Sequence, residues 1–237
     1  MTATDKLIVA LDRSTRAEAE ALVEVLGPTV TFYKVGLELL FADGIGLAEK
    51  LKQDGKNVFL DLKFLDIANT VERAVAQAAS LGFDYLTIHG HDAKTMKAAV
   101  RGRDHAGSHT KLLAVTVLTS LDADDLKQQQ SRMTPPELVI HRASLAHDCG
   151  IDGVVASGQE AKSIRNATNE DFLIVTPGIR LPTDEAGDQA RVTTPADAIK
   201  AGANHLVVGR PITGADDPAK AAKAFNLAIN QQVDAAS

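Results

Sequence analysis

The chain has 237 residues, of which 45% are hydrophobic and 24% charged, a composition typical of a folded globular protein. Its 25 basic and 31 acidic residues give a formal net charge of −6, which disfavours general binding to nucleic acid or to an anionic membrane. The single cysteine, Cys149, excludes an internal disulfide and a multi-cysteine zinc site. The polar start and the lack of a long apolar run predict neither a secretion signal nor a membrane span, so we expect a cytoplasmic protein.

Short runs rich in Val, Ile and Leu alternate with amphipathic stretches along the whole chain, and the runs predict buried parallel strands. The predicted strands cover residues 7–11, 32–35, 58–62, 85–88, 112–117, 153–156, 172–175 and 205–208. The predicted helices cover residues 15–26, 47–54, 69–81, 93–103, 136–149, 159–166, 195–201 and 218–231. Five helices are followed by a glycine at the expected C′ position, namely Gly27, Gly55, Gly82, Gly150 and Gly202.

Strict alternation of eight strands with eight helices predicts a (β/α)8 TIM barrel that forms a single domain over residues 1–237. An open doubly wound sheet is the alternative. No Gly-x-Gly-x-x-Gly motif follows the first strand, where Asp12-Arg13-Ser14-Thr15 is found instead. Polar residues also follow nearly every strand, at the rim where barrel enzymes carry their chemistry.

The densest group of polar residues lies in the segment around the end of the third strand. Because strand side chains alternate, Asp61 and Lys63 are predicted to share the inward face, and Asp66 follows just beyond the strand. A cation between two carboxylates stays protonated, which suits proton transfer. The alternative is a structural salt bridge in which Asp66 or Asn69 caps the next helix. Two further rim residues that end strands 1 and 2, Asp12 and Lys34, favour a functional site.

The loops after strands 7 and 8 have the composition of a phosphate site, which barrels commonly form at this position. Gly209 allows close approach of the backbone to an anion, and Arg210 offers a fork of donors. Arg180 and Gln189 are further candidates, whereas Arg191, like Arg180, could be a solvated surface charge. The segment 181–191 is a candidate lid.

His89 follows the fourth predicted strand and is a lone histidine at the predicted rim. Its spacing from His91 places both rings on one strand face at best, which is weak evidence for a metal site. Since the Asp-x-Lys cluster already offers proton chemistry, we interpret His89 as lining the rim without acting in catalysis.

Six segments together resemble the bacterial form of the orotidine 5′-monophosphate decarboxylase family, over essentially the full length. They are residues 9–12, 34–36, 61–70, 115–120, 176–180 and 208–210, and the third of them carries the motif Asp61-Leu62-Lys63-Phe64-Leu65-Asp66. The motif of strand 3 is specific only together with the segments from strands 7 and 8. One departure is Ala68, where the family usually has Pro or Gly, and we expect it to have little effect.

The resemblance implies a decarboxylase without cofactor or metal that acts on orotidine 5′-monophosphate. Lys63 would donate a proton to C6 of the pyrimidine, and Asp61 and Asp66 would flank it. Lys34 would complete the charge network and, with Asp12, hold the ribose.

The resemblance also implies a homodimer with shared sites, in which Asp66 and Thr70 reach the partner's site. Thr119 would meet the amide edge of the pyrimidine. The phosphate would be held by Arg180, Gln189, Gly209 and Arg210.

Two alternatives remain open at this point. A related barrel family decarboxylates sugar-acid phosphates or condenses pentulose phosphates with formaldehyde, and it uses the same Asp-x-Lys-x-x-Asp strand with magnesium. Phe64, Ile67 and the Asn69-Thr70 ending favour the nucleotide decarboxylase. The other alternative is a catalytically silent phosphate-binding barrel, against which the intact Asp-x-Lys-x-x-Asp motif argues.

Overall fold

The computed structural model describes residues 3–182, 184 and 191–235. Eight strands close into a barrel in chain order, and every neighbouring pair is parallel, including β1 with β8. The strands are β1 (Leu7–Ala10), β2 (Phe32–Gly36), β3 (Asn57–Phe64), β4 (Tyr85–His89), β5 (Lys111–Val115), β6 (Gly153–Val155), β7 (Leu173–Thr176) and β8 (His205–Val208). The predicted (β/α)8 barrel is therefore confirmed.

All eight predicted helices are present, and the described ranges contain four further short ones. The helices are α1 (Ala3–Lys6), α2 (Arg16–Leu26), α3 (Leu37–Leu40), α4 (Gly44–Gln53), α5 (Ala68–Ser80), α6 (Ala93–His105), α7 (Ala123–Gln128), α8 (Pro135–Asp148), α9 (Ala161–Ala167), α10 (Pro195–Lys200), α11 (Arg210–Thr213) and α12 (Pro218–Ala235). The unpredicted α1, α3, α7 and α11 have four to six residues, too few to show a helical period. None of the helices in the described ranges combines the length and apolarity that crossing a bilayer requires.

The five glycines predicted to end helices all adopt the left-handed backbone, with φ between 53° and 101°. An L side chain would be strained at these positions, which is why glycine suits them. Strand boundaries were less well predicted. The prediction ended strand 3 at residue 62, whereas β3 continues to Phe64, which pairs with Ile88 of β4 beyond an irregularity in the register.

Two apolar layers hold the barrel. A small cluster fills the lumen, and it consists of Ile8, Ala10, Phe32, Phe59, Tyr85, Leu113, Val175 and Val207. A larger cluster packs the outer strand faces against the helices, with Leu22, Val71, Met96 and Phe225 among its buried members. Because side chains fill the lumen, it is a packed core, and barrels of this kind carry their sites at the carboxyl ends of the strands.

His205 lies in the filled part of the lumen, where it is 4% exposed. The Tyr85 hydroxyl lies 2.8 Å from its Nε2, and its Nδ1 lies 3.0 Å from the carbonyl oxygen of Asp5. This arrangement suits the neutral ring, with Nδ1–H as the donor and Nε2 as the acceptor. Burial, and to a lesser degree the Lys6 ammonium, lower the pKa of His205 to about 4, against a raising effect of the bond to Asp5.

Acid should therefore destabilise the fold through His205. Because the ring must be neutral in the folded state, its contribution is complete above the unfolded pKa of about 6.5 and is lost as the pH falls towards 4. From pH 8 to pH 4 we expect the free energy of unfolding to fall by about 3 kcal/mol from this group, as measured by urea unfolding. His205→Phe should flatten this dependence, whereas the exposed control His109→Gln should keep it. An equal slope in His205→Phe and the wild type would contradict the assignment.

Candidate active site

Four of the predicted rim residues form a continuous chain of alternating charge at the carboxyl end of the barrel. The Lys34 Nζ lies 3.1 Å from Asp12 Oδ1 and 3.4 Å from Asp61 Oδ2. The Lys63 Nζ lies 2.8 Å from the same Oδ2 of Asp61. Asp12 follows β1, Lys34 belongs to β2 and the other two belong to β3. Neighbouring strands of the closed barrel thus bring together residues that are up to about fifty positions apart in the sequence.

The inner members of this chain of charges, Lys34 and Asp61, are largely withdrawn from water. The Asp61 and Lys34 side chains are 11% and 12% exposed, Lys63 is 28% exposed and Asp12 is 56% exposed. Burial opposes the ionisation of Asp61, but the ammonium groups of Lys34 and Lys63 outweigh it and lower the pKa of Asp61 below its usual range. Burial likewise disfavours charged Lys34, yet Asp61 and Asp12 together raise its pKa. The inner pair therefore remains charged at neutral pH.

Gly36, at the end of β2, preserves the space that this charge network needs. A Cβ atom at this position would lie 3.0 Å from the Lys34 Nζ and 3.5 Å from Asp12 Oδ1. A larger residue would press on the ammonium, which would have to shift by a small fraction of its distance to the carboxylates, so close approach rather than the backbone angle favours glycine here.

Lys63 does not occupy a regular strand position. Its φ is +51°, in the left-handed region, and the register between β3 and β4 shifts between Leu60 and Phe64. The prediction that Asp61 and Lys63 meet is correct in outcome, but simple alternation along a strand is not the whole reason. A non-glycine residue in this region costs on the order of 1–2 kcal/mol, and such strain is commonly found at functional sites.

A cavity of about 350 Å³ opens beside the charge chain, between the loops that follow β1, β7 and β8. Its lining residues are Ala10, Asp12, Arg13, Lys34, Pro177, Gly178, Arg180, Val207, Gly209, Arg210, Thr213 and Gly214. The cavity is thus lined by Arg180, Gly209 and Arg210, which are all the predicted phosphate-binding residues that the structure describes. Burial, and then the nearby Arg210 cation, lower the pKa of Arg180, so the two like charges lie close together. Such a concentration of positive charge suits an anionic group.

Asp66 and Thr70 lie apart from this cavity, on exposed positions after β3. The Asp66 carboxylate accepts a 2.6 Å hydrogen bond from the backbone N–H of Ile67. Neither Asp66 nor Asn69 acts as the side-chain cap of α5, because the N-cap residue is Ile67, which has no capping hydrogen bond. Helix α5 begins at Ala68, so the alanine that departs from the usual Pro or Gly has an ordinary helical position.

Comparison with known proteins gives a consistent result over nearly the whole chain. The model of the orotidine 5′-phosphate decarboxylase / HUMPS family matches residues 5–225. The chain is 54% identical over 221 residues to the orotidine 5′-phosphate decarboxylase of Bradyrhizobium sp. (strain ORS 278), covering 93% of this chain and 90% of that protein. It is 51% identical over 226 residues to the protein of the same name from Caulobacter vibrioides, covering 94% and 96%. This chain belongs to the orotidine 5′-phosphate decarboxylase / HUMPS family.

A solved structure supports the same assignment. The crystal structure of orotidine 5′-phosphate decarboxylase from Lactobacillus acidophilus matches with a TM-score of 0.83 and 40% sequence identity, covering 94% of this chain and 98% of that chain. The predicted family, and with it the prediction of a carboxy-lyase, is confirmed. Although the family description also names HUMPS proteins, the relatives reported above carry the decarboxylase name.

His89 is the last residue of β4, and Thr119 follows β5. Thr119 is half-buried in the turn after β5. The His89 ring lies 5.0 Å from the His91 ring, between centroids, and burial, His91 and Lys63 lower the pKa of His89 to about 4. His89 is therefore neutral at physiological pH. Within the described ranges, no three His, Cys, Asp or Glu side chains are grouped so that they could hold a metal ion.

Arg191 is neither solvated nor part of the cavity lining, so its interpretation as a surface charge was wrong. It is 9% exposed and forms a 2.7 Å ion pair with Glu160. It also donates to the carbonyl oxygens of Val117 and Leu118, each at 3.2 Å. Arg191 thus connects the end of the predicted lid to the turn that carries Thr119. Gln189 and most of that lid lie outside the described residues.

Two residues at the site were missed by the sequence analysis. Arg13 lines the cavity, and its guanidinium donates to the carbonyl of Thr213. Thr87, in the middle of β4, bonds to both Asp61 and Lys63. A polar residue inside an otherwise apolar strand was the available signal for Thr87, whereas Arg13 resembles any exposed arginine that follows a strand.

Proposed function

We propose that this chain converts orotidine 5′-monophosphate to uridine 5′-monophosphate and CO2, in pyrimidine synthesis, without a cofactor or metal ion. The observation that carries the proposal is the charge chain from Asp12 to Lys63, which opens beside a cavity lined by three arginines. The names of the relatives support the choice of substrate. We also propose that the protein is a single barrel domain and that it acts in the cytoplasm.

The arginine-lined cavity would hold the 5′-phosphate of the substrate. Arg180 and Arg210 would donate charge-assisted hydrogen bonds, and Gly209, which has no side chain, would let the phosphate approach the backbone N–H of Arg210 at the start of α11. Gln189 would complete the phosphate site. Binding of this remote group can be used to orient the reacting carbon, since only interactions that favour the transition state increase the rate.

The ribose would then lie over Asp12 and Lys34, which separate the cavity from Asp61 and Lys63. Thr119 would contact the amide edge of the pyrimidine from the other side of the rim. This arrangement would place C6 of the ring beside the Lys63 ammonium, and the substrate carboxylate near Asp61.

Breaking the bond between C6 and the carboxylate leaves an electron pair on C6, in an orbital outside the ring π-system. The Lys63 ammonium would stabilise this negative charge and transfer a proton to C6 as CO2 leaves, which yields neutral Lys63 that solvent then reprotonates. Asp61 orients the Lys63 ammonium through their 2.8 Å contact and would crowd the departing carboxylate.

We further propose a homodimer in which Asp66 and Thr70 complete the site of the partner. Support comes from the exposed apolar side chains around them, Leu65 and Ile67, which are 52% and 73% exposed. On the adjacent segment after β2, Phe41 is 89% exposed. An apolar surface of this kind on a globular protein is typical of a contact with another chain.

Purified protein should consume orotidine 5′-monophosphate at the same rate with and without EDTA, because no step in the proposed mechanism involves a metal. The measurement is the loss of substrate absorbance, with added Mg²⁺ as a second condition. Loss of activity with EDTA and its recovery with Mg²⁺ would favour the magnesium-dependent alternative. Absence of turnover in all conditions would contradict the proposed function.

A further inference from the structure

The pairing between β3 and β4 is interrupted at the charge cluster. Leu60 pairs with Leu86 and Phe64 pairs with Ile88, so three residues of β3, from Asp61 to Lys63, face a single residue of β4. That residue is Thr87. A bulge of this kind leaves backbone groups without their usual partners in the sheet, and buried backbone groups require a replacement.

The Thr87 hydroxyl supplies the replacement partner. It contacts both a backbone group of the bulge and a charged side chain. Its Oγ1 accepts a 2.9 Å hydrogen bond from the backbone N–H of Lys63, and it donates a 2.9 Å hydrogen bond to Asp61 Oδ1. Because a hydroxyl carries one proton and the Lys63 N–H is itself a donor, the directions of both bonds are fixed. Thr87 is 0% exposed, so water does not compete for these bonds.

We propose that Thr87 is a positioning residue for the decarboxylation, acting through Asp61 and Lys63. It fixes Oδ1 of Asp61, so that Oδ2 remains between Lys34 and Lys63. It also holds the Lys63 backbone in its left-handed conformation, which sets the direction of the ammonium. The inference depends on the proposed function, because its main measurement is the turnover of orotidine 5′-monophosphate.

Threonine suits this position because it carries a hydroxyl on a branched Cβ atom. Branching at Cβ restricts χ1, so the hydroxyl is directed without a further partner. Valine has nearly the same shape without the hydroxyl, and serine retains the hydroxyl without the methyl group. The two substitutions therefore separate the hydrogen bonds from the packing.

Thr87→Val should lower kcat on the order of 10- to 100-fold, because the hydrogen bond to the charged Asp61 is lost. KM should change much less, because the arginine-lined cavity is formed by other residues. The acid limb of the pH profile of kcat should move to higher pH, since burial opposes the ionisation of Asp61 while Lys34, Lys63 and the Thr87 hydroxyl favour it. Thr87→Ser should stay within about threefold of wild-type kcat.

The matched control is Thr110→Val. Thr110 is 3% exposed and its hydroxyl donates a 2.7 Å hydrogen bond to the carbonyl of Phe83, just before β5 at the closed end of the barrel. This variant loses a comparable buried hydrogen bond, so its kcat and pH profile should match the wild type even if its stability falls.

If Thr87→Val does not fold, as judged by circular dichroism, Thr87→Cys takes its place, because a thiol is a weaker donor than a hydroxyl. Its kcat should then lie several-fold below that of Thr87→Ser. Equal kcat in the serine variant and the valine or cysteine variant, or an unshifted acid limb, would overturn the positioning role. An inactive wild type would instead overturn the proposed function, and this inference with it.

Discussion

Replacing Lys63 with alanine is expected to reduce turnover of orotidine 5′-monophosphate on the order of 10⁴-fold or more. The variant loses a proton donor, which contributes about 10²- to 10⁴-fold, and the positive charge that would stabilise the carbanion. Lys34 cannot replace it, because its ammonium is already shared between Asp12 and Asp61 and is 12% exposed. The measurement is kcat/KM from the loss of substrate absorbance.

Binding of the product should survive this substitution, since the arginine-lined cavity is formed by other residues. Calorimetry with uridine 5′-monophosphate should give a dissociation constant close to that of the wild type. Lys111→Ala is the matched control, because Lys111 is a 53% exposed lysine that pairs with Asp152 at the start of β5. Undiminished turnover by Lys63→Ala would disprove the proton-donor role. Loss of product binding together with turnover would indicate a collapsed site instead.

Asp66→Ala is the second substitution with a large expected effect, on the order of 10²- to 10³-fold in kcat/KM. Within one chain its carboxylate is exposed and accepts a hydrogen bond from the backbone N–H of Ile67, so the chain by itself gives no reason for such a loss. The expected loss follows only if Asp66 acts beside Lys63 of the partner subunit. The experiment is therefore designed to test the position of Asp66 as well as its importance.

Mixing of two inactive variants provides that test. Mixed dimers of Lys63→Ala with Asp66→Ala contain one site with both changes and one site with neither, so random exchange should restore about a quarter of wild-type activity. The matched control pairs Lys63→Ala with Asp61→Ala. Both residues lie on β3 of the same chain, so each site of the mixed dimer retains one change and activity should stay low. A protein that remains monomeric at assay concentration would contradict the shared site.

Much of the architecture follows from local sequence. Apolar runs gave the eight strands within a few residues, and the glycines at the helix ends adopt the positive φ that their position predicts. The convergence of Asp12, Lys34, Asp61 and Lys63 was also predictable, because the carboxyl ends of parallel strands in a closed barrel meet at one rim. These features depend on periodicity and on strand direction, which are properties of short segments.

The details of the site depended on the tertiary structure. The sequence suggested that alternation alone places Lys63 beside Asp61, whereas a bulge opposite Thr87 sets its left-handed backbone. The sequence did not distinguish Arg191, a buried anchor, from Arg13, which lines the cavity.

These details could not be predicted because a strand or helix pattern shows only which face of its own segment is buried. The partner of a polar group, the register between two strands and the exposure of a charged side chain depend on residues far away in the chain. The sequence by itself therefore determined the barrel and the rim on which Lys63 lies. Only the packing of β3 against β4 decided how Lys63 and Asp61 are held there.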